Sequence, residues 1–155
     1  MSLTLKSIIT TMVGKGYVVY TQPYKLNVVG IRSSNDTSVY FDDHIAFFYF
    51  DNKGNLQGKV CPATTDPSVK FLNNPIVGDG AGILKAGQYL DTYTIALHRG
   101  KYPALTQRLK PVTVIRDNDR NDLLNFFAQT DTGMFGINIH RSSYGKTDVL
   151  KIDAD

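Results

Sequence analysis

Short stretches of strand-forming residues, separated by clusters of turn-forming residues, constrain the fold of this chain more than any other feature. The stretches are rich in Val, Ile, Tyr and Phe, and the clusters in Gly, Asn, Asp and Ser. No long helical pattern alternates with them, so the sequence predicts a mostly β, antiparallel sandwich or barrel rather than an α/β fold. The candidate strands are Tyr17–Tyr20, Leu26–Arg32, His44–Phe50, Gln57–Ala63, Gly82–Leu90, Tyr93–His98, Val112–Arg116 and Met134–His140.

Apolar residues recur at helical spacing close to the N-terminus. Ser2 or Thr4 can cap a helix there, and Gly14 and Gly16 can end it. We therefore predict a short N-terminal amphipathic helix within residues 1–16, packed on a single β domain over residues 17–155. The apolar positions are Leu5, Ile8, Ile9 and Met12.

Two further local elements follow from turn and cap residues. The stretches His44–Phe50 and Gln57–Ala63 flank a turn rich in Asp, Asn and Gly, and we predict that they form a β-hairpin. The segment Asp119–Phe127 is predicted to add one or two helical turns, because Asp119 can cap a helix whose Leu123 and Phe127 share a face.

Charge and hydrophobicity argue against nucleic acid and membranes as partners. The net charge is +3 and the isoelectric point is near 8.9, with Lys and Arg scattered rather than gathered in a stripe. No stretch approaches the roughly 20 apolar residues that a membrane-spanning helix requires. We therefore expect no nucleic-acid binding and no membrane insertion, and the sequence leaves the oligomeric state open.

The cysteine and histidine content limits redox and metal chemistry. The single cysteine, Cys61, excludes an internal disulfide framework and directly precedes Pro62, so we expect a packing residue rather than a nucleophile. The histidines, His44, His98 and His140, lack the short spacings of metal ligands. A metal-dependent hydrolase is therefore a minor alternative, and we expect no metal and no cofactor.

The segment from Gly133 to Ser143 is the most informative about function. As a strand, it would turn Gly136, Asn138 and His140 to one face, where they would offer space, an amide and a base. A shallow catalytic or binding groove over a sheet requires such a face, although an exposed edge strand fits the same pattern. The apolar residues of the opposite, core-facing side are Phe135, Ile137 and Ile139.

The run Gly136-Ile137-Asn138-Ile139-His140-Arg141-Ser142-Ser143 resembles the histidine strand of L,D-transpeptidase (YkuD-type) domains, whose pattern is G-h-h-h-H-G/R-S/T, where h is hydrophobic. Two other segments are similar to parts of the same domains. Residues 62–67 resemble a strand-to-loop segment with a T-D-P turn, and residues 83–89 resemble a P-x-G-x-Y strand, with Ala86 in place of the proline. The resemblance extends from about Tyr24 to the end of the chain.

The resemblance implies a β domain of the L,D-transpeptidase type that modifies peptidoglycan as a cysteine acyltransferase or hydrolase. A thiolate would attack the amide carbonyl after the diamino acid of a stem peptide and release the terminal D-alanine. An amine or water would then resolve the thioester. His140 would be the catalytic base, and the substrate-binding residues would be Gly136, Asn138, Arg141, Ser142 and Tyr89.

The chain departs from the family pattern at the nucleophile. The family's cysteine lies in an S-x-G-C element after the histidine, and no cysteine lies between His140 and Asp155. We expect the native protein to continue past Asp155 to this element. The alternative is a degenerate copy, a non-catalytic cell-wall-binding or structural module, so whether the protein is an enzyme stays open.

The N-terminus is not a good secretory signal, because Lys6 interrupts its apolar run and no small-residue cleavage site follows. We therefore expect synthesis in the cytoplasm and action at the cell wall, with delivery by a phage or a secretion route.

Overall fold

A computed structural model describes residues 3–141 of the chain. The mostly β fold, with antiparallel sheets and a short N-terminal helix, is confirmed. No helix in this range is long and apolar enough to cross a membrane. The elements in chain order are α1 (Leu5–Gly14), β1 (Asn27–Ile31), β2 (Asp43–Phe50), β3 (Leu56–Ala63), α2 (Val69–Asn73), β4 (Ala81–Leu84), β5 (Tyr93–His98), β6 (Tyr102–Gln107), β7 (Val112–Asp117) and β8 (Thr130–Gly133).

These elements divide into two compact units. The first comprises the described residues up to Ser34 together with Phe41–Thr65, and the second comprises Asn35–Tyr40 with the described residues from Asp66 onward. Each unit has its own cluster of buried apolar side chains. The sequence does not indicate this division, because periodicity reports which residues are buried but not which of them share a core.

In the first unit, α1 packs on a three-stranded sheet with the order β1-β2-β3. The helix begins with a capping box, in which the Thr4 hydroxyl accepts a hydrogen bond from the Ser7 backbone N–H at 3.1 Å. Ile8 and Met12 are buried against apolar residues of β2, as the helical spacing predicts. Strands β2 and β3 form the predicted hairpin.

A fully buried carboxylate, Asp43 at the start of β2, fixes the end of this sheet. It accepts hydrogen bonds from the backbone N–H groups of Ser33 at 2.7 Å and Thr65 at 2.6 Å. The Thr65 hydroxyl donates a further bond at 2.7 Å. Because a buried charge must be compensated by hydrogen bonds, we assign Asp43 a structural role.

The second unit contains a three-stranded sheet with the order β4-β7-β8, and strands β4 and β7 contribute buried side chains to its hydrophobic core. Gly80 precedes β4 with φ +102°, and a Cβ atom there would lie 2.2 Å from the carbonyl oxygen of Asp117. Only glycine tolerates both this backbone conformation and this close approach. The buried core residues are Leu72, Ala81, Ile83, Ile115 and Leu124.

Strands β5 and β6 of the same unit form a second, separate sheet, a two-stranded hairpin. Its three-residue loop, Arg99-Gly100-Lys101, has positive φ at Arg99 (49°) and Gly100 (71°). The Lys101 N–H donates to the His98 carbonyl at 2.9 Å. The turn places His98 directly opposite Tyr102, so the two side chains lie on one face.

The predicted strand Tyr17–Tyr20 does not form. The N–H and C=O groups of Tyr20 bond instead to the side-chain amide of Asn27, at 2.8 and 2.9 Å. A side chain has therefore replaced the neighbouring strand as the partner of this backbone.

The predicted helical turns over Asp119–Phe127 are also absent from the structure. The Asn121 side chain accepts a hydrogen bond from the Leu123 N–H at 2.8 Å, and the Asn125 side chain makes the same bond two residues further on. Asparagine offers the backbone this local alternative to a helix, so the segment forms successive turns.

The other predicted strands up to residue 116 are present, but the bounds of several differ from the predicted ones. The strand predicted over Gly82–Leu90 is only Ala81–Leu84, because the chain turns after Lys85. Helix α2 and strands β6 and β8 were not predicted from the sequence.

Candidate functional site

The segment Met134–His140, predicted as a strand, is not a regular strand. Gly136 has φ +71°, a left-handed conformation that interrupts the extended backbone and that glycine adopts readily. The segment is held by the buried side chain of Gln107, whose Oε1 accepts hydrogen bonds from the N–H groups of Phe135 and Ile137, both at 3.1 Å. A single buried amide thus takes the place of a strand partner.

Gln107 also binds the start of this segment through its amide nitrogen. Its Nε2 donates to the carbonyl oxygens of Gly133 at 2.9 Å and Lys110 at 3.2 Å. The chain then rejoins the sheet at Ile139, whose N–H and C=O groups both bond to Leu105 of β6, at 2.8 and 3.0 Å. The result is a short extended piece beside β6 that carries His140 to the hairpin.

His140 meets His98 at this place. Their rings are stacked, with centroids 4.3 Å apart and an interplanar angle of 20°. The Tyr102 hydroxyl lies 3.3 Å from His140 Nδ1, and the Arg141 guanidinium lies over the Tyr102 ring at 4.4 Å. With Asn138, these residues form what we call the histidine cluster: His98, Tyr102, Asn138, His140 and Arg141.

Asn138 orients the ring of His98. Its Oδ1 accepts a hydrogen bond from the Gln107 backbone N–H at 3.0 Å, which fixes the orientation of the amide. Its Nδ2 therefore faces His98 Nδ1, at 3.4 Å. Because an amide nitrogen can only donate, His98 Nδ1 must accept, and the neutral ring carries its proton on Nε2.

His140 has the opposite tautomer. Its Nδ1 lies 2.8 Å from the backbone carbonyl oxygen of Arg141, which can only accept a hydrogen bond. The proton of the neutral ring is therefore on Nδ1, and Nε2 has a lone pair with which to take a proton. Among residues 3–141, neither histidine has a hydrogen-bond partner at Nε2. The cluster thus combines one imidazole that can donate with one that can act as a base.

The two chain segments that carry the cluster are rich in basic residues. Residues 92–116 include no Asp or Glu, and residues 132–141 include none either. Partial burial, then the nearby His140 and Arg99, lower the pKa of His98 from its ordinary value of 6.5. The basic residues between residues 92 and 116 are Arg99, Lys101, Arg108, Lys110 and Arg116.

The sequence-predicted site residues are only partly brought together. Asn138 and His140 both contact His98, so they share a side of the segment, as alternation predicts. Ile137 and Ile139 are half-buried rather than fully buried. Gly136 is exposed at the interrupting turn.

The other predicted substrate-binding residues differ in their placement. Arg141 belongs to the cluster through Tyr102. The Tyr89 hydroxyl instead lies 2.7 Å from the Lys85 carbonyl oxygen and 3.1 Å from that of Thr113, which gives it a structural role between two backbone segments. Ser142 lies outside the described residues.

His98 and Tyr102 were not predicted from the sequence as site residues. A signal was present, because His98 ends a predicted strand and Arg99-Gly100 has the composition of a tight turn. A three-residue hairpin loop, Arg99-Gly100-Lys101, would have placed His98 opposite Tyr102. Nothing local, however, indicates that His140 joins them.

Cys61, the only cysteine of the chain, lies half-buried on β3 in the first unit. Strand β3 is at the edge of its sheet, which agrees with the presence of Pro62 in it. The described part of the second unit therefore presents an imidazole base but no thiol.

A separate open cavity of about 540 Å³ also lies in the second unit. Its Arg116 is paired with Asp131 at 2.9 Å and lies over the Phe135 ring at 4.4 Å, so an internal carboxylate already neutralises it. No group of three or more potential metal ligands occurs in residues 3–141. The lining residues are Asp79, Arg116, Asn118, Gln129, Thr130 and Asp131.

The histidine cluster is therefore the better candidate site, because its groups are oriented by fixed partners and have complementary proton-donor and proton-acceptor character. Comparison of the chain with models of protein families, with curated proteins and with solved structures found no match.

Proposed function

We propose that this protein is a peptidoglycan-modifying cysteine acyltransferase or hydrolase domain of the L,D-transpeptidase kind, which acts on stem peptides and whose nucleophilic thiol is not among residues 1–155. His140 is its general base. The proposal rests on one observation above all. The bond from His140 Nδ1–H to the Arg141 carbonyl leaves the basic lone pair on Nε2, which has no partner among the described residues.

The reaction that such a base serves is attack by a thiol. Nε2 of His140 takes the thiol proton, and the thiolate attacks the amide carbonyl after the diamino acid of the stem peptide. The new C–S bond gives a tetrahedral oxyanion, whose collapse breaks the C–N bond. The imidazolium then protonates the departing D-alanine nitrogen, and an amine or water resolves the thioester.

The ring of His140 is held in a way that suits this role. It is packed on His98, and its Nδ1 is bound by the Arg141 carbonyl with the Tyr102 hydroxyl as a longer contact. A base whose second nitrogen is fixed by a hydrogen bond keeps one tautomer and one orientation, as catalytic histidines require.

The test is turnover of muropeptides that carry a tetrapeptide stem, followed by mass spectrometry of the products. We expect a protein that carries the histidine cluster and a cysteine within reach of His140 to release D-alanine. His140→Ala and prior treatment with iodoacetamide should each abolish this release, whereas Arg108→Ala, one residue past the end of β6 and outside the cluster, should not. Turnover that survives His140→Ala would overturn the proposal.

A second candidate is a non-catalytic module that binds the cell wall. The observation that favours it is the absence of any thiol from the described part of the second unit, together with the positive charge of the hairpin. This candidate predicts that the protein co-sediments with isolated cell walls, that Arg99→Ala weakens the binding, and that D-alanine is never released. Release of D-alanine would exclude it.

A further inference from the structure

We propose that the outer edge of β5 is an interface between two copies of this chain, which pair antiparallel about Ile95. The hairpins of the two copies then form one four-stranded sheet with the order β6-β5-β5-β6. This inference goes beyond the proposed function and does not depend on it.

The outer edge of β5 presents backbone hydrogen-bonding groups. The N–H and C=O groups of Leu105 both bond to Ile139, on the side of β6 that faces away from β5. Leu105 lies opposite Ile95, so these two residues exchange no hydrogen bonds and the N–H and C=O groups of Ile95 point outward. Alternation along the strand gives Tyr93 and Leu97 the same orientation. In the described part of the chain, no strand pairs with this edge of β5.

Strand β5 also lacks the features that keep sheet edges from pairing. Its six residues include no Lys, Arg, Asp, Glu or Pro, and its Ile95 and Leu97 are 74% and 54% exposed. By contrast, edge strand β3 contains Lys59 and Pro62, and edge strand β8 has only four residues, one of which is Asp131. An uncharged edge with exposed apolar side chains is a template for another strand.

The charges at the two ends of β5 indicate that the other strand is a second copy of β5. Asp91 precedes the strand, and Arg99 and Lys101 follow it. Antiparallel pairing about Ile95 brings position 99 of each copy next to position 91 of the other, because both positions lie four residues from Ile95. Opposite charges then meet at both ends of the interface, whereas a parallel arrangement brings like charges together. The edge is therefore complementary to itself, as a twofold interface requires.

The same register brings apolar side chains together. Ile95 lies opposite Ile95 of the second copy, and Leu97 lies opposite Tyr93, with Cα atoms about 5.5 Å apart and two backbone hydrogen bonds exchanged in each pair. The twofold axis is perpendicular to the sheet, so the exposed side chains of both copies lie on one face. A contact made by one short strand from each copy is smaller than a standard interface of roughly 1,600 Å², so we expect a weak dimer with a dissociation constant of about 0.1–1 mM.

Two measurements on the whole chain test the association. Sedimentation equilibrium between about 0.02 and 2 mM protein, which spans the expected dissociation constant, should show the average mass rise from the 17.2 kDa of one chain towards twice that value. Dilution of the ¹⁵N-labelled protein should shift the amide resonances of Tyr93, Ile95 and Leu97. The amides of Thr94 and Ala96 face β6 and should shift less.

A matched pair of substitutions locates the interface. Ile95→Lys places two ammonium groups opposite each other and should raise the dissociation constant by at least about fivefold. Ile76→Lys makes the same change at a position that is 84% exposed, on the loop before β4, and should associate like the unaltered protein. Unchanged backbone spectra at high dilution show that each variant is folded.

A second pair of substitutions tests the antiparallel register. Arg99→Asp and Asp91→Lys each bring like charges together at both ends of the interface, and each variant alone should associate about threefold or more weakly. An equimolar mixture of the two variants restores opposite charges at both ends, so its association should recover. Recovery in the mixture requires that two copies of β5 meet in opposite directions.

The inference stands if the unaltered protein dimerises, Ile95→Lys does not, and the mixture of charge variants recovers. It is overturned if the mass stays that of one chain throughout the concentration range, or if Ile95→Lys associates as tightly as Ile76→Lys. Failure of the mixture to exceed the separate charge variants also overturns it. If the protein stays monomeric but a synthetic peptide of residues 91–99 shifts the Ile95 amide, the edge accepts a separate extended peptide, and the second copy is the wrong occupant.

Discussion

Replacing Gln107 with leucine tests whether one buried amide organises the candidate site. The side chain is almost completely buried and makes four hydrogen bonds to the backbone, at 3.2, 2.9, 3.1 and 3.1 Å. Leucine has a similar volume, so the main change is the loss of these bonds. Within residues 3–141, the N–H groups of Phe135 and Ile137 have no other hydrogen-bond acceptor.

The expected cost follows from the number of bonds. Each neutral hydrogen bond contributes about 0.5–1.5 kcal/mol net, so the loss of four predicts a decrease of about 2–4 kcal/mol in the free energy of unfolding. We expect urea denaturation to show this decrease as a lower midpoint with an unchanged slope. The exposed Gln129, in the same unit, provides the control, because Gln129→Leu should change stability by less than about 0.5 kcal/mol.

The same substitution has a consequence for the site. Without Gln107 to hold residues 133–137, Asn138 and His140 should no longer be positioned against His98, so the ring resonances of His98 and His140 should lose the shifts caused by stacking. A decrease in stability below about 1 kcal/mol, with the His98 and His140 resonances unchanged, would refute this reasoning.

Three further predictions concern other parts of the chain. Gly80→Ala should lower the free energy of unfolding by about 2–4 kcal/mol, because the new Cβ atom would lie 2.2 Å from the Asp117 carbonyl oxygen at φ +102°. Thermal unfolding measures this decrease. Gly14→Ala is the control and should have little effect, because no atom lies near that position. Because the pKa of His98 is lowered in the folded protein, the unfolded chain binds a proton on this imidazole more readily. The free energy of unfolding should therefore decrease as the pH falls below about 6.5 towards the pKa of the folded state. Between pH 7.5 and pH 5, the urea midpoint should decrease more for the unaltered protein than for His98→Phe. Cys61→Ser should cost at most about 1–2 kcal/mol, and rapid reaction of Cys61 with a thiol reagent in the folded protein would contradict its role as a packing residue.

Local signals in the sequence determined much of the secondary structure. Thr4 and the apolar spacing of the first turns specify α1, and the run Tyr93–His98 is a strand with the bounds that its composition predicts. Such features depend on a few neighbouring residues, because caps, turns and side-chain alternation act over one or two turns of chain. The failures, at Tyr17–Tyr20 and Asp119–Phe127, occur where asparagine side chains bind backbone groups that a regular element would otherwise use.

The candidate site depended on the tertiary structure. The sequence identified His140 and the side that it shares with Asn138, because both follow from the alternation of a single segment. The partnership with His98 and Tyr102 exists only because Ile139 pairs with Leu105 and Gln107 binds the preceding loop. These contacts join segments that are far apart in the chain, and no local pattern encodes them. The tautomers of the two rings, and with them the division between donor and base, are fixed by what Asn138 and the Arg141 carbonyl offer after folding.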